Sequence, residues 1–211
     1  YTQNVAAKTA IWFQLAVSGA VTMAGVAAAS DNNAVIFSDL QAPLTMRGVS
    51  ATSTGSNALA LTAVSAGATK IQVSGGTFTG ASRGIIVSSA LDAATTLTLS
   101  GVMASSTGAT PAVLFSGAVN GDVNIVDRST LVGGTEALKF SGAVAATSTI
   151  RLEGSELDNV GKTGYDLVLF AAAFAGNLVA THCTLKAEDS AIHAAADVAG
   201  SMRLSLNTIT S

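Results

Sequence analysis

The chain has 211 residues, enough for one domain or one long repeat array. Hydrophobic residues make up 49% of it, but aromatics only 5% and charged residues only 11%, so its apolar content is mostly Ala, Val, Leu and Ile and, with 21 glycines, suits thin stacked layers. A net charge of −3 with no basic stripe excludes nucleic acid as a partner, and a single cysteine, Cys183, excludes a disulfide scaffold.

The sequence begins at Tyr1 rather than Met, which points to a processed form or a piece of something longer. Residues 9–30 carry no charge and are long enough to span a bilayer, and their small-residue end is like a signal-peptide cleavage region. However, the Ser-Gly-Ala-Val at 18–21 recurs at 116–119 and 141–144, where nearby charges forbid a span. A repeat unit is therefore preferred to membrane contact or a leader. Residues 1–33 are expected to form an N-terminal cap or incomplete first coil, with Leu15/Val17 as a shortened unit and Ile11-Trp12-Phe13 closing the core. Residues 34–211 are expected to be the repeats proper.

From Val35 onward a short alternating segment returns. Its inward pairs are Val35/Phe37, Leu59/Leu61, Ile85/Val87, Val113/Phe115, Leu138/Phe140, Val168/Phe170 and Ile192/Ala194, at offsets of 24, 26, 28, 25, 30 and 24 residues. A second segment follows each, with inward pairs Leu44/Met46, Ile71/Val73, Leu97/Leu99, Val123/Ile125, Ile150/Leu152, Leu178/Ala180 and Met202/Leu204. Period-two alternation marks half-buried strands. The residues between the second pairs are Thr45, Gln72, Thr98, Asn124, Arg151, Val179 and Arg203. Six of these seven are polar, which fixes the register, because a one-residue slip would bury Arg and Asn. A third step carries one apolar residue, as in Gly76-Thr77-Phe78, Ser129-Thr130-Leu131, Ser155-Glu156-Leu157, Cys183-Thr184-Leu185 and Asn207-Thr208-Ile209. Turns rich in Gly, Ser and Asn come next.

Three short strands per unit of roughly 25 residues specify an all-β fold, a right-handed parallel β-helix of about seven coils. At about 4.8 Å per layer it is a rod of roughly 34 Å. Propeller blades need about 40 residues and four antiparallel strands. Small Ser-Gly-Ala corners fit where stacked backbone turns sharply. The open ends of such a rod expose unpaired strands, so further coils, a protein partner or self-assembly is expected.

The outward residues of the first strand form a stripe: Ile36, Ala60, Ile86, Leu114, Lys139, Leu169 and His193. Five of the seven are apolar, which makes Ile36, Ile86, Leu114, Lys139, Leu169 and His193 the candidate protein-contact surface. The densest carboxylate set, Glu153, Glu156 and Asp158, lies near Arg151 and Lys162 and is the alternative candidate, for glycan or Ca²⁺. His182 and His193 fall on different walls, and Cys183 takes a small stacking place. No catalytic residue, metal-ligand set or cofactor motif is identified.

The unit AL-x-F-SGAV … V-x-I … STL-x-GG … AL, carried by residues 112–134, 137–144 and 181–185, resembles the Ala/Gly/Ser-rich repeats of very large pectin-lyase-like surface proteins. The nearest likeness is to the dispersed gene family of trypanosomatid surface proteins, over roughly 34–211. The resemblance implies an adhesin-like, non-enzymatic role at the cell surface or outside the cell, with no catalytic residues to carry over. The fold also invites comparison with pectate lyases and other carbohydrate-active β-helices, which implies the second reading: a lyase, a hydrolase or a tailspike-like glycan binder.

Overall fold

The computed structural model describes residues 9–159 and 161–210. Its regular elements are all strands, and they stack as a parallel β-helix. The first wall is one parallel sheet of eight strands: Ile11–Val17, Val35–Leu40, Asn57–Leu61, Arg83–Val87, Val113–Phe115, Leu138–Phe140, Val168–Phe170 and Ile192–Ala194. The second and third walls share a fourteen-stranded sheet, because Leu44–Ser53 and Lys70–Gly80 run through both walls without a break.

The inward pairs stack as their alternation requires. Val113 lies on Ile85 and under Leu138, and Phe115 lies on Val87 and under Phe140. On the second wall Val123 and Ile125 lie between Leu97/Leu99 and Ile150/Leu152. Apolar side chains of these two walls therefore meet apolar side chains one layer away. Phe115, Phe140 and Phe170 form a stack with centroids 4.9 Å apart, and Phe13 lies 4.4 Å from Phe37. The interior coils bury these residues completely, which at about 1.5–3 kcal/mol per large apolar side chain is the main favourable contribution.

Two features differ from the sequence expectation. The described residues form eight coils rather than seven. The first is a full layer, in which Ile11 lies on Val35 and Phe13 on Phe37. Leu15/Val17 does not open a shortened unit: the register slips between Phe13 and Ala16, leaving Leu15 82% exposed. Trp12 does not close the core either. It points outward, and its indole Nε1 donates to Ser38 Oγ at 2.8 Å. Residues 9–30 thus build three stacked strands, and no helix among the described residues is long and apolar enough to cross a membrane. The part of the expected cap at residues 1–8 lies outside the described residues.

The second difference is a fourth inward line at the corner between the first and second walls. Val17 pairs with Leu40 and Leu40 with Val64, and beyond them run Leu91, Val119, Val144, Phe174 and Val198. The last residue of Ser-Gly-Ala-Val at 116–119 and 141–144 is therefore core, while its glycine marks a close approach; the copy at 18–21 is out of register, with Val21 on Leu44 of the second wall and Gly19 free of close contacts. A Cβ on Gly142 would sit 2.2 Å from the Gly117 carbonyl oxygen.

The corner between the second and third walls needs a left-handed residue in every coil. Gly25, Gly48, Gly75, Gly101 and Gly154 fill it at φ of 56° to 60°, and Asp127, His182 and Leu206 adopt it at 56°, 55° and 55°; Arg128, the residue after Asp127, is left-handed as well at 64°. Left-handed backbone costs an L-residue about 1–2 kcal/mol, of which glycine's extra chain entropy cancels part. On the third wall, fully buried Phe78 stacks on Ala51 and Ala104, and beside it Gly84 has no side chain. A Cβ on Gly84 would lie 3.1 Å from the Ala104 Cβ. The ring thus takes up volume that neighbouring coils fill with alanine.

Replacing Arg128 or His182 with glycine relieves the corner and raises stability by about 0.5–1 kcal/mol, whereas Gly154→Ala lowers it by about 1 kcal/mol. Thermal melts will show these as midpoint shifts of about 2–4 °C in opposite directions.

Candidate functional site

The outward stripe assembles as one continuous line on the first wall. Trp12, Ile36, Ala60, Ile86, Leu114, Lys139, Leu169 and His193 are successive Cα partners. Its members shelter one another across each layer spacing. Leu114 is 7% exposed, Ile36, Ile86, Lys139 and Leu169 are half-buried, and His193 is exposed. The stripe is therefore a shallow, largely self-covered apolar seam ending in two basic groups.

Those basic groups meet carboxylates from the loop that enters the first wall. Glu136 and Asp166 sit two residues before the inward Leu138 and Val168, so they share one edge in successive coils. Lys139 Nζ donates to Glu136 Oε1 at 2.9 Å, Thr135 Oγ1 donates to Glu136 Oε2 at 2.5 Å, and His193 Nδ1 lies 2.6 Å from Asp166 Oδ2. Burial pushes the Glu136 carboxyl up. The hydrogen bonds from Thr135 and Lys139 and the nearby ammonium charge outweigh it, so the carboxyl lies below its ordinary value. Farther down the same edge, Asn57 Nδ2 donates to Asn33 Oδ1 at 2.8 Å, and the guanidinium of Arg83 reaches Asn57 Oδ1 at 3.5 Å. Sequence reading missed this polar edge because the entering loops differ in length. A polar residue two places before six of the seven first-wall inward pairs, with Pro111 the exception, was the signal available.

The candidate carboxylates Glu153, Glu156 and Asp158 do not converge. Glu153, at the end of a second-wall strand, pairs with Arg151 at 3.2 Å. Glu156 and Asp158 flank the inward Leu157 on the third wall and share Lys186, whose Nζ bonds Glu156 Oε1 and lies 3.8 Å from Asp158 Oδ2. The hydrogen bond and charge of Glu156 hold the Lys186 ammonium above its ordinary pKa. Beside Glu156 is a groove of about 270 Å³ lined by Arg128, Thr130, Gly154, Ser155, His182 and Thr184. It opens where Gly154 carries no side chain between Asp127 and His182, which hold the same corner place one coil to either side, with Arg128 next to Asp127.

No group of three or more His, Cys, Asp or Glu among the described residues is arranged to hold a metal ion. Cys183 is 2% exposed with Sγ 3.4 Å from the Thr181 carbonyl, and burial raises its thiol pKa, so it stays a protonated stacking residue. His182 sits at a corner and His193 on the first wall. Comparison with protein-family models, curated proteins and solved structures finds no match.

Glu136 makes this surface sensitive to pH. A carboxyl whose pKa is lowered on folding stabilises the fold above its unfolded value, near 4.5, and that contribution disappears as pH falls through the lower folded value. Glu136→Gln therefore lowers stability at pH 7, by about 1–2 kcal/mol. The gap to the parent chain closes on acidification below about 4.5, as read from melts across a pH series.

Proposed function

We propose that this chain is a non-enzymatic structural or adhesive β-helix module, a rigid rod within a surface or filament assembly at or outside the cell. The observation that carries the reading is the disposition of its charges. The candidate carboxylates Glu153, Glu156 and Asp158, and the first-wall Glu136, are each held by a neighbouring Lys or Arg, and Asp166 lies 2.6 Å from the His193 ring. A catalytic carboxylate pair instead keeps two groups on one substrate atom with their pKa values pushed apart. The resemblance to large pectin-lyase-like surface repeats supports the same reading, as do the flat walls and the apolar seam through Ile36, Ile86, Leu114 and Leu169.

A second reading, glycan binding on a carbohydrate-active β-helix, is favoured by one feature. The groove at Arg128, Gly154 and His182 offers a cation, two threonine hydroxyls and the Glu156 carboxylate together, the polar groups that bind sugar hydroxyls.

The structural reading predicts no new reducing or unsaturated ends when the protein is incubated with neutral and acidic polysaccharides, and no saturable heat on titration with Ca²⁺. Turnover that E153Q or E156Q abolishes would overturn it. Saturable glycan binding without turnover, lost in R128A, would favour the second reading.

A further inference from the structure

One corner breaks the repeat. From the last inward residue of the second wall to the inward residue of the third is a step of five residues in seven coils, as in Leu99 to Ala104 and Leu152 to Leu157. In the fifth coil the step is six, from Ile125 to Leu131. The extra residue makes Asp127 and Arg128 successive left-handed residues without a glycine. Such backbone is costly, and strain of this kind gathers at ligand clamps. Here it places Arg128 in the lining of the groove of about 270 Å³. Asp127 Oδ2 accepts from Ser100 Oγ at 2.7 Å, in the coil before. The Arg128 guanidinium, the His182 ring and the hydroxyls of Thr130 and Thr184 have no partner among the described residues. Glu156, the carboxylate of the lining, is taken by Lys186. The charge left without a counter-ion is therefore positive.

The surface beside the groove is apolar. Met103 is the Cα partner of Thr130 one coil back, and Val132 stands two places beyond Thr130 on the same face. Among the described residues of the six inner coils, the exposed large apolar side chains are Met103, Val132 and Tyr165. Arginine and methionine are both enriched at protein interfaces. The lining holds no aromatic ring on which a sugar could lie.

We infer that this groove anchors an acidic peptide of a protein partner. An aspartate or glutamate side chain enters between Arg128 and His182, and an apolar residue two places away covers Met103 and Val132. The inference rests on the structural and adhesive reading above and names the chemistry of its partner. The guanidinium fork matches a planar carboxylate, the threonine hydroxyls supply further donors, and Glu156 accepts from a peptide N–H. Residues two apart in an extended peptide share a face, about 7 Å from one another. Thr130 to Val132 is the same two-residue step, and Met103 lies one layer from Thr130.

The test is fluorescence anisotropy with the full 211-residue chain. Its probe is the labelled, end-blocked peptide Gly-Leu-Ser-Asp-Ser-Leu-Gly, which reads alike in both directions. Binding should saturate at sub-millimolar chain concentration. R128A should weaken it at least about tenfold, the loss of a charge-assisted hydrogen bond, and R128K should retain part of it. M103S should weaken it about threefold to tenfold. R47A, on the second wall three coils away, should bind as the parent does. Circular dichroism checks that each variant keeps the parent β-spectrum. Absence of saturation up to about 1 mM, equal affinity for the peptide with Asn in place of Asp, or R128A binding like the parent overturns the inference. An oligosaccharide that binds at Arg128 where the peptide does not also overturns it, in favour of the glycan reading. Failure of the peptide alone leaves the structural reading standing, whereas polysaccharide turnover overturns that reading whatever the peptide does.

Discussion

Phe115, Phe140 and Phe170 lie face on face at 4.9 Å, close to the separation of hydrogen-bonded strands. The rest of the structure follows from that coincidence. A parallel ladder sets the layer spacing, and only side chains that fill one layer without intruding on the next are accepted inside. Planar rings, Val, Leu and Ile do this along the walls. At the corners the backbone of successive layers comes so close that a methyl group at Gly142 would overlap the carbonyl below. The low aromatic content and the many small residues are the composition of a thin repeated layer.

The same constraint governs where chemistry can sit. A stacked wall presents its outward residues as lines, one per layer, so charges meet either along a line or across a corner. Glu136 with Lys139 and Asp166 with His193 are arrangements of this kind, formed where a loop enters the first wall. The groove at Gly154 is the converse, a gap in a line of corner residues. Both surfaces come from variation between coils rather than from the repeat.

Most of the fold was legible because alternation is a strong signal. The inward residues of the first two walls were readable from Val35 on, and Arg151 and Asn124 fixed their phase. The first coil was misread although Phe13 stands 24 residues before Phe37, the offset that also separates Val35 from Leu59. Its uncharged surroundings let Leu15/Val17 compete for the same place. The fourth inward line was hidden because a lone Val119 or Val144 in a Ser-Gly-Ala corner has no alternating neighbour. Ala51 and Ala104 were missed on the third wall, since alanine carries little hydrophobic signal. For the surfaces, the Ile36–His193 line was readable because it shares the first-wall register. The Glu136 edge and the Arg128–His182 groove were not, since the one depends on loops of unequal length and the other on the absence of a side chain.

If layers are interchangeable because each meets only its neighbours through matching places, one can be removed. Deleting 114–138 joins Val113 to Lys139 and Phe140, which restores the inward–outward–inward order; deleting 114–139 joins Val113 to Phe140 and turns the ring outward. Denaturant unfolding followed by circular dichroism compares the two most directly. The account predicts that the first deletion keeps the β-spectrum and a cooperative transition with a proportionately smaller denaturant dependence, while the second loses cooperativity or aggregates. Equal behaviour of the two chains would contradict it.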